Sequence, residues 1–112
     1  MSFNGNFMCT SFKSELLKGI HDFTPSTGST FKLALYSNAG AAFDASTTTY
    51  RTANEVGNSG SYSAGGGTLT TTATFPKADG TTGIVDFVNL EFTVATITAR
   101  GAVIYNSSAA GN

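Results

Sequence analysis

Phe31-Lys-Leu-Ala-Leu-Tyr36 is the stretch that decides the fold of this chain. Its residues alternate, with Phe31, Leu33 and Leu35 on one face of an extended backbone and Lys32, Ala34 and Tyr36 on the other. Side chains of a strand point to opposite sides with a period of two, so the pattern predicts a strand over 31–36. Thr24-Pro-Ser-Thr-Gly-Ser29 precedes it as a turn. Residues 37–46 follow as a loop, with Ala and Gly at 39–42 and Phe43 as the side chain suited to anchor it.

Upstream, Phe12, Leu16, Ile20 and Phe23 recur at i, i+4, i+8 and i+11, with Leu17 beside them. That spacing lays one apolar stripe along a helix and predicts a helix over 10–22. Thr10 or Ser11 is suited to cap its start, Glu15 is placed in the first turn where the dipole favours an anion, and Pro25 lies just past the end. A lone helix must bury its stripe, so it should pack on a sheet. Residues 1–9 read as irregular.

Downstream, residues 47–67 are the least regular part. They hold either a short extended piece around 50–56 or a surface arm. The triplet Gly65-Gly-Gly67 supplies positive-φ freedom for a tight entry into the next strand. A phosphate cradle fails, because no Lys-Ser/Thr follows and a strand, not a helix, comes next. Further strands are predicted over 68–75, 84–92 and 95–105, with a loop over 76–83. Gly101 within the last one suggests a bulge or a close backbone approach. The chain ends in what reads as a hairpin turn without a return strand. That implies a shortened form of a longer protein, or an edge completed by a partner.

Composition narrows the classes. Only 12% of the 112 residues are charged, about half the usual share, while 18 Thr, 12 Ser and 13 Gly make up 43 positions. One domain over 1–112 is the expectation. Nine Phe and the low charge argue against a disordered tail. Six Lys and Arg against seven Asp and Glu give no basic footprint for nucleic acid. No apolar run reaches membrane-span length, and the N-terminus lacks a signal-peptide pattern. Cys9, the single cysteine, cannot form an intrachain disulfide and reads as a small, part-buried apolar side chain. Assembly in a reducing cytoplasm follows.

Sites for chemistry are sparse. One His and one Cys cannot build a zinc site of the usual kind without carboxylates. Asp44, Asp79 and Asp86 lack metal-loop spacing, and no Gly-x-Ser-x-Gly elbow precedes a helix. His21, near the end of the predicted helix, reads as a surface or capping residue. No catalytic residue, cofactor or metal is assigned. Arg100 interrupts an apolar run. It reads either as half of an internal ion pair with Asp86, Glu91 or Glu55, or as a contact to another subunit. Tyr36, Tyr50, Tyr62 and Tyr105 are strand formers and also the residue type that interfaces favour. Candidate interface residues are Tyr50, Arg51, Tyr62, Arg100 and Tyr105.

Two segments carry a resemblance. Thr52-Ala-Asn-Glu-Val-Gly-Asn-Ser-Gly-Ser-Tyr-Ser-Ala-Gly-Gly-Gly-Thr-Leu-Thr70 resembles the TNEVxGxGYxAGGxxLT segment of small virion proteins of tailed bacteriophages, and Ile97-Thr-Ala-Arg-Gly-Ala-Val-Ile-Tyr-Asn106 resembles the ITARGAVIYN stretch of the same family. Cys9 to Phe23 and Thr30 to Tyr36 also fit, so the likeness covers roughly residues 8–106. Family members continue with a further apolar strand that this chain lacks. The resemblance implies a structural role, without fixing a place on capsid, neck or tail, and brings no catalytic residues.

The expected fold is α+β and mostly β: an antiparallel sheet or sandwich with one N-terminal helix packed on it. The expected function is that of a non-enzymatic virion protein, a capsid decoration or cement protein. Its partners would be the major capsid protein or other virion proteins and further copies of itself, with no nucleic acid or membrane. The alternatives are a tail- or fibre-associated component or host-binding module, and, from another class, a carbohydrate-binding accessory domain. The absence of Trp weighs against the last.

Overall fold

The computed structural model describes residues 8–37 and 43–108. The N-terminal positions 1–7, the Ala/Gly stretch at 39–42 and positions 109–112 of the terminal turn lie outside them. The elements in chain order are α1 (Thr10–Leu17), β1 (Phe31–Tyr36), β2 (Gly67–Leu69), β3 (Lys77–Asp79), β4 (Thr82–Ile84) and β5 (Gly101–Asn106). They form a three-stranded antiparallel sheet in the order β2-β1-β5 and a two-stranded antiparallel hairpin, β3-β4. The fold is mostly β, with one short helix.

β1 is the central strand, and its limits match the predicted 31–36. Both its faces are covered. On one, the Phe31 ring stacks on Phe23 at 4.3 Å between centroids, with Phe87 6.2 and 6.3 Å from the two. On the other, Ala34 and Tyr36 are fully buried with Phe43, and Tyr50, Val103 and Tyr105 pack around them. The face carrying Lys32 thus holds the deeper core. Ala34 leaves room for the surrounding rings, and Tyr36 buries its ring because its hydroxyl finds the Arg51 carbonyl at 2.6 Å.

α1 stops well short of residue 22. Gly19, at φ +74°, takes the left-handed position that ends a helix. Its N–H reaches Leu16 O (3.1 Å), and the N–H of Ile20 reaches Glu15 O (3.0 Å), the two bonds of a Schellman motif. Neither Thr10 nor Ser11 caps the start. Cys9 is the N-cap residue but makes no side-chain capping bond, its Sγ donating instead to Asp44 O (3.8 Å), and Glu15 lies beyond the first turn. The predicted stripe is therefore split. Phe12 links the helix to the sheet through His21 (4.7 Å) and Phe23 (6.4 Å), while Leu16, Leu17 and Ile20 are exposed.

The later strands are shorter than predicted. β2 covers only 67–69, and 70–75 continues as a single bridge, Thr71 to Phe87, flanked by Thr72 N–H to Asp86 O and Val88 N–H to Thr70 O. The predicted loop 76–83 is instead the β3-β4 hairpin, closed by a two-residue Gly80-Thr81 connection. Gly80 sits at φ +63°, the conformation that such a turn asks of its first residue. β4 ends at Ile84, and β5 begins at Gly101 rather than at 95. Arg100 donates its backbone N–H to Tyr36 O at 2.7 Å, while Gly101 faces the same Tyr36 in the register. The pairing is one-to-one over 31–36 and 101–106, so Gly101 opens the strand rather than bulging within it.

Candidate interaction surface

β2 pairs with β1 only over 31–33, so the remainder of β1 needs other partners on that side. The Gly/Ser-rich segment provides them. Val56 donates its N–H to Leu35 O (2.9 Å), Ser37 donates to Asn54 O (3.0 Å), and Tyr36 and Glu55 form a bridge. The Leu35 N–H is taken by the Tyr62 hydroxyl at 2.9 Å. The expected extended piece around 50–56 is interrupted: Ala53 and Asn54 form a turn, with Asn54 at φ +64° and Glu55 N–H on Thr52 O (3.2 Å), and Glu55 alone bridges to β1, yet the segment is tied down rather than a free arm. Its tip is held as well: Ser61 N–H reaches Thr93 O (3.0 Å), and Thr96 N–H reaches Ser59 Oγ (2.8 Å).

Glu55 gathers this segment. One carboxylate oxygen accepts the Tyr50 hydroxyl; the other accepts the Tyr62 hydroxyl (2.8 Å) and the Gly65 N–H (2.6 Å). The Gly65 carbonyl in turn accepts the Tyr105 hydroxyl from β5 (2.5 Å). Tyr50 and Tyr105 stack at 4.4 Å. Burial first, and the nearby Glu55 charge next, raise the pKa of Tyr36 and Tyr105. Tyr50 is raised by burial and then by its bond to Glu55. Burial, with Glu55 adding, pushes Tyr62 up to about 12. These phenols therefore stay protonated and remain donors, Tyr50 and Tyr62 to the carboxylate, Tyr36 to Arg51 O and Tyr105 to Gly65 O.

The five interface candidates divide. Tyr62 is buried (1% exposed), and Tyr50 and Tyr105 are half-buried, with their hydroxyls bonded inside the chain. Arg51 is exposed, its guanidinium 5.3 Å above the Phe43 ring. Arg100 is exposed at the start of β5. Among the described residues it forms no ion pair with Asp86, Glu91 or Glu55, and the Glu55 carboxylate is already occupied by tyrosines.

β5 is an edge strand, as the hairpin turn without a return strand suggested. Its odd-numbered residues turn their backbone toward β1, as the continuing Ser107 N–H to Thr30 O bond marks. Ala102 and Ile104 therefore aim N–H and C=O outward, and no described strand pairs with that side. Ile104 is 54% exposed. Gly101–Asn106 has neither the charge nor the proline that commonly blunts an edge strand.

Among the described residues no group of three or more His, Cys, Asp or Glu is placed to hold a metal ion. Among the described residues, no helix is long and apolar enough to cross a membrane. A shallow apolar depression lies between Phe23 and the β3-β4 hairpin, lined by Pro76, Lys77, Ile84 and Val85. No family model matches this chain, and no curated protein or solved structure matches it.

Proposed function

We propose that this chain is a non-catalytic structural protein of a tailed-phage virion, seated on the major capsid protein as a decoration or cement subunit. One observation carries the reading. The two segments that resemble the virion family, 52–70 and 97–106, are bonded to each other, Tyr105 to Gly65, and leave the uncharged edge of β5 open beside them. An open, neutral edge with an exposed isoleucine suits a protein that is covered by neighbours in its working state. On a capsid lattice, many modest contacts of this kind add through multivalency. The same logic favours assembly of several copies at one site.

Purified protein mixed with expanded capsids of the encoding phage should co-sediment in a fixed ratio and raise their resistance to heat or osmotic shock. Failure to bind capsids, with copurification on tails instead, places the chain in a tail or fibre assembly and overturns the cement reading.

A further inference from the structure

His21 lies at the centre of a one-way chain of hydrogen bonds that joins three elements. The N–H of Thr30, just before β1, donates to Ser108 Oγ (3.0 Å), and Ser108 Oγ donates to Asn106 Oδ1 (2.6 Å). The Ser108 N–H donates to the same Oδ1 (3.0 Å), which leaves Asn106 Nδ2 facing His21 Nδ1 at 2.9 Å. On the far side of the ring, Nε2 lies 3.0 Å from Glu15 Oε1 in α1. The His21 side chain is only 7% exposed and Asn106 is buried.

This arrangement fixes the donors. With Oδ1 committed to Ser108, the amide presents only N–H to the imidazole, so Nδ1 must accept and Nε2 must carry the proton. A protonated ring has a donor on both nitrogens and sets N–H against N–H toward Asn106. Rotating the amide restores a bond to His21 but removes the acceptor of the Ser108 N–H. The groups packed on the ring are few. Phe12 of α1 and Phe31 of β1 are apolar. Glu15 of α1 is the one charged group bonded to it and holds the ring in place in either state. The neighbouring Asp22 carboxylate is turned to Thr24.

We propose that His21 is a proton-operated latch: neutral, it clamps the end of β5 to α1 through Asn106; protonated, it releases Ser108 from that clamp. The inference does not depend on what the protein binds.

The test is an NMR titration of the full chain from about pH 8 to about pH 5. The latch requires the Nε2–H tautomer at the upper limit. The Asn106 side-chain amide and the Ser108 N–H should then shift with the midpoint of the His21 ring, and Ser108 exchange protection should fall about fivefold. In Asn106→Asp, both side-chain oxygens accept, so the Ser108 signal should stop following His21. An Nδ1–H tautomer at the upper limit, or a Ser108 signal that stays still while the ring titrates, overturns the proposal. The wild-type titration decides the matter even if the variant does not fold.

Discussion

Tyr62 takes the backbone N–H of Leu35 on its hydroxyl, 2.9 Å away, where a neighbouring strand would ordinarily supply a carbonyl. The same hydroxyl donates to Glu55. A side chain from an irregular segment thus completes the hydrogen bonding of the central strand, and a carboxylate from that segment keeps the side chain in position. The fold is held on this side by polar groups that are worth little singly but are costly to leave unpaired.

Tyr62→Phe should therefore cost more than one ordinary hydrogen bond. It orphans the Leu35 N–H and removes a donor to Glu55, for a loss of about 2 kcal/mol. Tyr105→Phe, which loses the bond to Gly65 O, should cost about 1 kcal/mol. Urea unfolding of the two variants compares them; equal losses would mean that Tyr62 is not serving the strand.

Glu55→Ala removes the acceptor of two hydroxyls and one N–H and should destabilise by about 3 kcal/mol. Because Tyr62 and Glu55 act together, a double-mutant cycle between Glu55→Ala and Tyr62→Phe should show coupling of about 1 kcal/mol. Simple additivity would argue against a shared network.

Alkaline pH offers a test without mutation. All four tyrosines have raised pKa values, chiefly through burial, with Tyr62 at about 12. The unfolded chain ionises at the ordinary value of about 10, so it releases protons first. Stability is unaffected below about pH 10 and falls as pH rises from there through the folded values, by up to about 1.4 kcal/mol per pH unit for each phenol. Phenolate absorbance should stay flat past pH 10 and then rise in one step together with loss of far-ultraviolet circular dichroism. A gradual rise near pH 10 with the fold intact would contradict the burial.

Two glycines separate strain from space. Gly66 sits at φ +93°, and a Cβ there would collide with the Leu33 carbonyl, so Gly66→Ala should cost about 3 kcal/mol or prevent folding. Gly83 lies in open space without positive φ, and Gly83→Ala should change stability by less than about 0.5 kcal/mol. Thermal melts of the pair suffice.

How far these features could be read in advance depended on range. β1 was legible to the residue, because alternation and flanking turn residues are local. The end of α1 was written in Gly19 but outweighed by Ile20 and Phe23, which continue the apolar spacing beyond the helix. Asp79-Gly80 carried a hairpin signal that was absorbed into a loop. The strands predicted over 68–75, 84–92 and 95–105 shrank because β-branched residues mark extended chain, whereas pairing needs a partner at the right register. Tyr50, Tyr62 and Tyr105 stood out as interface candidates, whereas their hydroxyls bond inside the chain. That Tyr62 points inward rests on Glu55, seven residues away in an irregular segment, and no periodicity records that.

The measurement closest to the central proposal is a density map of the intact virion at side-chain resolution. The account predicts this chain on the outer surface of the capsid shell, with the outward edge of β5, at Ala102 and Ile104, covered by the major capsid protein or a second copy. Density for the chain within the tail, or on the capsid with that edge bare to solvent, would contradict it.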